Sequence, residues 1–141
     1  MIQELMIIDQ AGIALFYHNF KNNERLEDEQ TLASYFDIIC RFTKREFKES
    51  LKSITLDNSI FFFYTHGSRF HLVLKCDNKE IDKLLLERFS ETLIENFLKN
   101  YKDVLKDFNG EISHFKSFSK EIMNILGSKF RKFKDLLIIE N

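Results

Sequence analysis

The stretch SLKSITLDN (50–58), SIFFFYTHG (59–67) and SRFHLVLKC (68–76) decides the fold. Each piece holds a short run of strand-forming residues, and the pairs Asp57-Asn58 and His66-Gly67 are typical of tight turns between them. The middle run, residues 60–64, is apolar at every position, so a strand there needs cover on both faces. The stretch therefore predicts three strands of a sheet that lies between helices.

The first twenty residues supply the rest of the sheet. Residues 4–9 and 13–18 are predicted as two strands of a hairpin, and Gly12 occupies the turn position that favours a positive φ. The Asp9 carboxylate can accept hydrogen bonds from backbone amides two residues further on. We therefore assign Asp9 a structural role in the turn and no catalytic one.

Three helices are predicted around these strands. The first begins after a polar loop, with Asp28 as its N-cap, and runs to about Phe47 with apolar residues at spacings of three and four. The second begins near Lys79, after a cap at residues 77–78, and continues to Phe108. The third covers residues 112–126 and ends at Gly127.

These elements predict an α+β sandwich in the order strand–strand–helix–strand–strand–strand–helix–helix. Residues 1–127 form one domain, and residues 128–141 form a basic, amphipathic C-terminal tail. The chain has 141 residues, of which 44% are hydrophobic and 30% are charged, and this length and composition suit one globular domain. It contains 16 Phe but no Trp and no Pro. The formal net charge of −1 argues against a general nucleic-acid binder.

Few residues suggest chemistry. Cys40 and Cys76 lie far apart without a CxxC motif, and we interpret both as reduced, buried residues of a cytoplasmic chain. The four histidines show no spacing typical of a metal site, and no phosphate-binding or nucleophile motif is present. We expect no catalytic residue, no metal and no cofactor. The one enzyme alternative pairs Asp9 with His66 or His71.

The tail suggests contact with a membrane surface. From His114 to Lys134 there are six Lys or Arg and a single acid, Glu121. Basic residues interleaved with aromatic ones can bind anionic lipids, although packing of the Phe side chains on the domain is the favoured interpretation. The candidates for a peripheral membrane contact are Lys129, Phe130, Arg131, Lys132, Phe133 and Lys134.

The order of elements resembles that of the longin domain. The segment ELMIIDQAGIALFYHNF (4–20) looks like the first longin hairpin, QTLASYFDIICRF (30–42) matches the place of its first helix, and ITLDNSIFFFYTHGSRFHLVLKC (54–76) looks like its central meander. The resemblance covers about residues 1–126 and is one of pattern and element order. No long heptad segment or membrane anchor follows these residues in the sequence, so a stand-alone longin-like module is expected, not a longin-type SNARE.

The resemblance implies both a topology and a function. It implies a five-stranded antiparallel sheet in the order 2-1-5-4-3, with the first helix on one face and the last two helices on the other. It further implies a non-enzymatic protein-interaction module in membrane trafficking or targeting. Its partner would be a small GTPase or another longin or roadblock domain, with a homodimer as a further expectation. It also implies a peptide groove between the first helix and the third strand, and that strand would be an open edge of the sheet. Some of the residues Leu32, Tyr35, Ile39, Leu51 and Ile54 would line the groove. Most of these residues are expected to belong to the core.

Two alternatives stay open. A roadblock-like, GTPase-regulating scaffold is the nearer one, although roadblock domains usually place a helix before their first strand. A PAS-like small-molecule sensor is the other, and it needs a cavity between sheet and helices, where the many Phe residues predict a filled core.

Overall fold

The computed structural model describes residues 2–21, 28–67, 69–77, 82–128 and 130. Five antiparallel strands form one sheet in the order β2-β1-β5-β4-β3, which confirms the predicted topology. The strands are β1 (Ile2–Asp9), β2 (Ala14–Asn19), β3 (Ser53–Thr55), β4 (Ser59–His66) and β5 (Phe70–Asp77).

Four α-helices and one 3₁₀ turn flank the sheet. They are α1 (Glu29–Phe47), α2 (Lys83–Asn100), α3 (Lys102–Lys106), the 3₁₀ turn Ile112–Phe115 and α4 (Phe118–Ser128). Because side chains alternate between the two faces of a strand, each face of the sheet has its own hydrophobic core, and the helices divide between the two faces as predicted.

The core under α1 is the smaller one. Phe63 and Val73 from the sheet meet Ala33, Phe36 and Cys40 of α1 there. The larger core lies on the opposite face, beneath α2 and α4, and it is rich in aromatic rings that pack edge to face. Its fully buried rings are Phe89, Phe97, Phe115 and Phe118.

The first hairpin turns as the sequence predicts. Gly12 has φ +77°, and the Asp9 carboxylate accepts hydrogen bonds from the amides of Ala11 at 2.9 Å and Ile13 at 3.0 Å. Gly67 in the β4–β5 turn also has a positive φ, +61°. Asp9 is therefore occupied in holding the turn.

The apolar run of residues 60–64 is less covered than its composition suggests. Of these five residues only Phe63 is buried, and the best-buried strands are β1 and β5. The reason is position, because β4 lies second from the edge, beside a β3 strand of only three residues. The strand is nevertheless covered on both faces as predicted, because Ile60, Phe62 and Tyr64 pack against the larger core and Phe61 and Phe63 against the core under α1.

The predicted second helix, from about Lys79 to Phe108, is divided into α2 and α3, and residues 78–81 at its predicted start lie outside the described residues. Helix α2 begins at Lys83, where the Asp82 carboxylate accepts a hydrogen bond from the Leu85 amide at 3.1 Å, and it breaks at Tyr101, where φ is −115°. Tyr101 is a tertiary anchor, because its ring packs on Phe115 and its hydroxyl lies 2.6 Å from the Ser117 hydroxyl. Tertiary contacts there outweigh the apolar periodicity that favours one continuous helix.

The third predicted helix also divides into two parts. Residues 112–115 form a 3₁₀ turn that buries Phe115, and α4 begins only at Phe118. Gly127 lies inside α4, which continues to Ser128, so the prediction that Gly127 ends the helix was wrong.

Candidate functional site: an outward apolar face on the first helix

Helix α1 is apolar on two opposite sides. Its inward side buries Phe36 and Cys40 in the core. On the outward side, Tyr35, Ile38 and Phe42 are 62%, 60% and 48% exposed. At about 100° per residue these three side chains lie roughly opposite the buried ones. We call Tyr35, Ile38 and Phe42 the α1 outer face.

Aromatic and basic groups continue this surface toward the C-terminal end of α1. Phe47 is 63% exposed, and its ring centroid lies 6.2 Å from that of Phe42 in an edge-to-face contact. The Arg45 guanidinium lies 5.8 Å from the centroid of the Phe42 ring. Such exposed aromatic and Arg side chains are the residue types enriched at the centres of protein interfaces.

The predicted peptide-groove residues do not form one site. Leu32, Leu51 and Ile54 are partly buried and pack against the core under α1, so for them the core interpretation holds. Ile39 is half-buried, and Tyr35 belongs to the α1 outer face. The sequence analysis did not name Ile38 or Phe42 as binding-site candidates beside Tyr35, although their spacing of three and seven residues from Tyr35 was visible in the sequence.

Strand β3 forms one edge of the sheet. It pairs only with β4, through Ser53–Phe62, Ile54–Phe61 and Thr55–Ile60. The neighbouring residue Leu56 is 49% exposed. A free edge beside an exposed apolar side chain is suited to strand addition by a partner.

A buried polar cluster fastens α1 to the sheet. The Asp37 side chain, 3% exposed, pairs with Arg41 of the same helix, and its Oδ1 lies 3.6 Å from Nε2 of His71 in β5. His71 Nδ1 lies 2.9 Å from the Thr65 hydroxyl. The pKa of His71 is lowered, mainly by burial, and the nearby Asp37 carboxylate acts in the opposite direction. These contacts fix the orientation of α1 and hence of its outer face.

Of the enzyme alternative, Asp9 and His66 lie in the lining of one groove at an end of the sheet, whereas His71 lies apart from them in the polar cluster beneath α1. Asp9 holds the hairpin turn, and His71 pairs with Asp37 and Thr65. In the described parts of the chain, His, Cys, Asp and Glu side chains nowhere gather in a group of three that could hold a metal ion. Cys40 and Cys76 are free and buried, and burial raises the pKa of their thiols to about 11 and about 12.

The space beneath α1 is small. A pocket bounded by Leu5, Tyr17, Leu32 and Phe36 has a volume of about 20 Å³, close to that of a single water molecule. This pocket is far below the 300 Å³ or more that small-molecule sites usually provide. It gives the PAS-like alternative no support on this face of the sheet, whereas a pocket of about 320 Å³ lies between β4 and α2 and is lined by Phe62, Tyr64 and Leu86.

One membrane-surface candidate lies within the described residues. Phe130 is half-buried and packs edge to face on Phe89, with their ring centroids 5.4 Å apart. Its ring therefore contacts the core beneath α2. Lys129, Arg131, Lys132, Phe133 and Lys134 lie outside the described residues. No helix in the described part of the chain has the length and apolar character needed to cross a bilayer.

Comparison with known proteins identifies the fold. No protein-family model matches the chain, and no curated protein sequence matches it. Among solved structures, MglB from Myxococcus xanthus has 18% sequence identity and a TM-score of 0.56, over 70% of this chain and 85% of that one. A roadblock/LC7 domain from Streptomyces avermitilis has 14% identity and a TM-score of 0.53, over 71% and 84%. The gliding protein MglB from Thermus thermophilus has 15% identity and a TM-score of 0.50, over 64% and 70%.

At these identities the likeness establishes the fold alone. The chain has the α+β fold shared by roadblock and longin-like domains, with the five-stranded sheet order derived above. The longin resemblance is thus confirmed as a likeness of fold, whereas membership of the longin family is not. The similar structures are thus two MglB proteins and one roadblock/LC7 domain.

Proposed function

We propose that the protein is a non-enzymatic, roadblock-like scaffold that regulates a small GTPase by binding it. The likeness to MglB and to a roadblock/LC7 domain supports the class of protein, and the α1 outer face supports a binding surface. The single observation that carries the proposal is a helix whose second apolar side has no cover within the described residues.

The size of this face suits a protein contact. Tyr35, Ile38 and Phe42 together leave roughly 300 Å² of mostly apolar surface in water. At about 25 cal/mol per Å², covering it would contribute about 7 kcal/mol before the entropic cost of association is subtracted. A patch of this size on one chain is often functional.

A second copy of the chain is an additional partner, and it would bind at the edge of the sheet. The free edge of β3 and the exposed side chain of Leu56 lie at the open side of the sheet, where a partner strand can pair. A homodimer formed there would present two copies of α1 to one GTPase. The wider setting implied by the longin resemblance, membrane trafficking or targeting, remains a prediction.

The test measures binding to purified small GTPases of the source organism, each loaded with GDP or with a GTP analogue. We expect binding that depends on the nucleotide. The variant Tyr35→Asp/Ile38→Asp should weaken it by at least about tenfold, because two buried interface contacts become unpaired charges. Leu84→Asp is the matched control, since Leu84 is 60% exposed but lies on α2, on the other side of the sheet.

Each result has a distinct meaning. Equal losses in the α1 variant and in the Leu84 control would reject α1 as the binding surface. No binding in either nucleotide state would reject the GTPase proposal itself. Light scattering on the same variants separates the two interactions, because the α1 substitutions should weaken GTPase binding and leave self-association through the β3 edge intact.

A further inference from the structure

A second surface lies at one end of the sheet, away from α1. There the β1–β2 hairpin and the β4–β5 turn face the junction of α2 and α3 across a groove of about 1090 Å³. Its apolar floor is formed by half-buried side chains, and none of its lining residues belongs to α1. The floor residues are Phe70, Leu98, Leu105 and Phe108.

The rim of this groove is strongly basic. Arg69 of the β4–β5 turn, Lys99 of α2 and Lys102 and Lys106 of α3 are all exposed and border it. None of the four forms an ion pair within the described part of the chain. The single carboxylate in the lining, Asp9, already accepts two backbone amides. Four cations and one carboxylate therefore border the groove, and the charge of its lining is positive.

The lysines of the rim lie on both sides of the break at Tyr101. Tyr101 is held by Phe115 and Ser117, and α3 starts at the next residue. Lys102 and Lys106, four residues apart, then both border the groove. Lys99 also complements the C-terminal end of the α2 dipole, but Lys102 lies at the N-terminal end of α3, where a cation is unfavourable. Helix stability does not explain Lys102.

We propose that this groove binds a short acidic segment of a partner protein, with apolar side chains of that segment on the floor and its carboxylates on the basic rim. Charge complementarity selects an anionic partner. The volume of about 1090 Å³ is slightly above the usual range for small-ligand sites and is far larger than a single phosphate needs. The apolar floor is concave, so it can receive inserted side chains, whereas a flat membrane surface favours protruding ones.

The probe for the test is a fluorescein-labelled octapeptide of glutamates interrupted by one leucine and one phenylalanine, measured by fluorescence anisotropy. The variant Lys102→Glu/Lys106→Glu should weaken its binding by about tenfold or more, because two attractive contacts become repulsive. Lys44→Glu/Lys120→Glu is the matched control, since it makes the same change in net charge at exposed positions outside the groove. Thermal unfolding checks that each variant remains folded.

Two further arms define the chemistry. Replacing the leucine and phenylalanine of the peptide by serine should weaken binding several-fold if the floor takes part. Raising the ionic strength from about 0.1 M to about 1 M, which shortens the screening length from about 10 Å to about 3 Å, should weaken it further.

Three results would overturn the proposal. The first is no binding of the octapeptide, and the second is an equal loss of peptide affinity in both charge variants. The third is tighter binding of phosphatidylserine vesicles or of an oligothymidylate that Lys102→Glu/Lys106→Glu weakens to the same extent. The Tyr35→Asp/Ile38→Asp variant should bind the peptide normally. Failure of this site is thus separable from failure of the GTPase proposal.

Discussion

Replacing Gly12 by alanine should destabilise the protein more than the same replacement at Gly67. Both glycines have a positive φ, +77° and +61°, so each alanine variant carries the backbone penalty of about 1 kcal/mol for a left-handed conformation. The difference lies in their surroundings. A Cβ on Gly67 meets nothing within 4 Å, whereas a Cβ on Gly12 would lie 3.3 Å from Oδ2 of Asp37.

Asp37 has little freedom to move away from an added Cβ. It is 2% exposed and is held by Arg41 and His71. Overpacking of such a site typically costs about 1–3 kcal/mol. Gly12→Ala should therefore lower the free energy of unfolding by about 2 kcal/mol or more, and Gly67→Ala by about 1 kcal/mol.

Urea unfolding followed by circular dichroism measures both values under the same conditions. Equal destabilisation by the two substitutions, or a larger effect at Gly67, would refute the tight contact between the hairpin and Asp37. A displaced Asp37 also disturbs the seating of α1. The Gly12 variant should accordingly bind the GTPase less well than the Gly67 variant does.

Two further predictions concern pH and the tail. Burial lowers the pKa of both His18 and His71 below the ordinary value of 6.5, so the unfolded chain binds protons more readily than the folded one. The free energy of unfolding should therefore be highest above about pH 6.5 and fall as the pH drops below that value. The accompanying decrease in the urea midpoint should be smaller in His18→Gln/His71→Gln than in the unmodified protein. An identical decrease in both proteins would contradict this prediction. Deleting residues 131–141, while keeping Phe130 on Phe89, should reduce co-sedimentation with phosphatidylserine vesicles if the tail contacts membranes. Vesicle binding that is unchanged by the deletion would reject that role.

The fold was predictable because its signals are local. The turn at Gly12 and the meander of residues 50–76 each follow from residue types within a few positions. Helix α1 begins at Glu29, directly after Asp28 as predicted, although the Asp28 side chain makes no capping hydrogen bond. The sheet order, by contrast, came only through the longin resemblance, because strand pairing across more than sixty residues leaves no local signal.

The errors occurred where distant contacts decide the structure. Residues 81–105 keep an apolar residue at every fourth position, so their pattern predicts one helix through Tyr101. The break depends on Phe115 and Ser117, which the spacing within the helix cannot reveal. The basic groove escaped prediction for the same reason, because it joins Arg69 to lysines about thirty residues away.

The candidate binding face rests on an imbalance that the sequence already contained. A helix packed on one face of a sheet needs a single apolar side. Phe36 and Cys40 satisfy that need for α1, and the core beneath it is filled. Tyr35 and Ile38 are therefore not needed to fill the core within the described residues. Because apolar side chains of this size are disfavoured in water, their outward position is best explained by a partner that covers them.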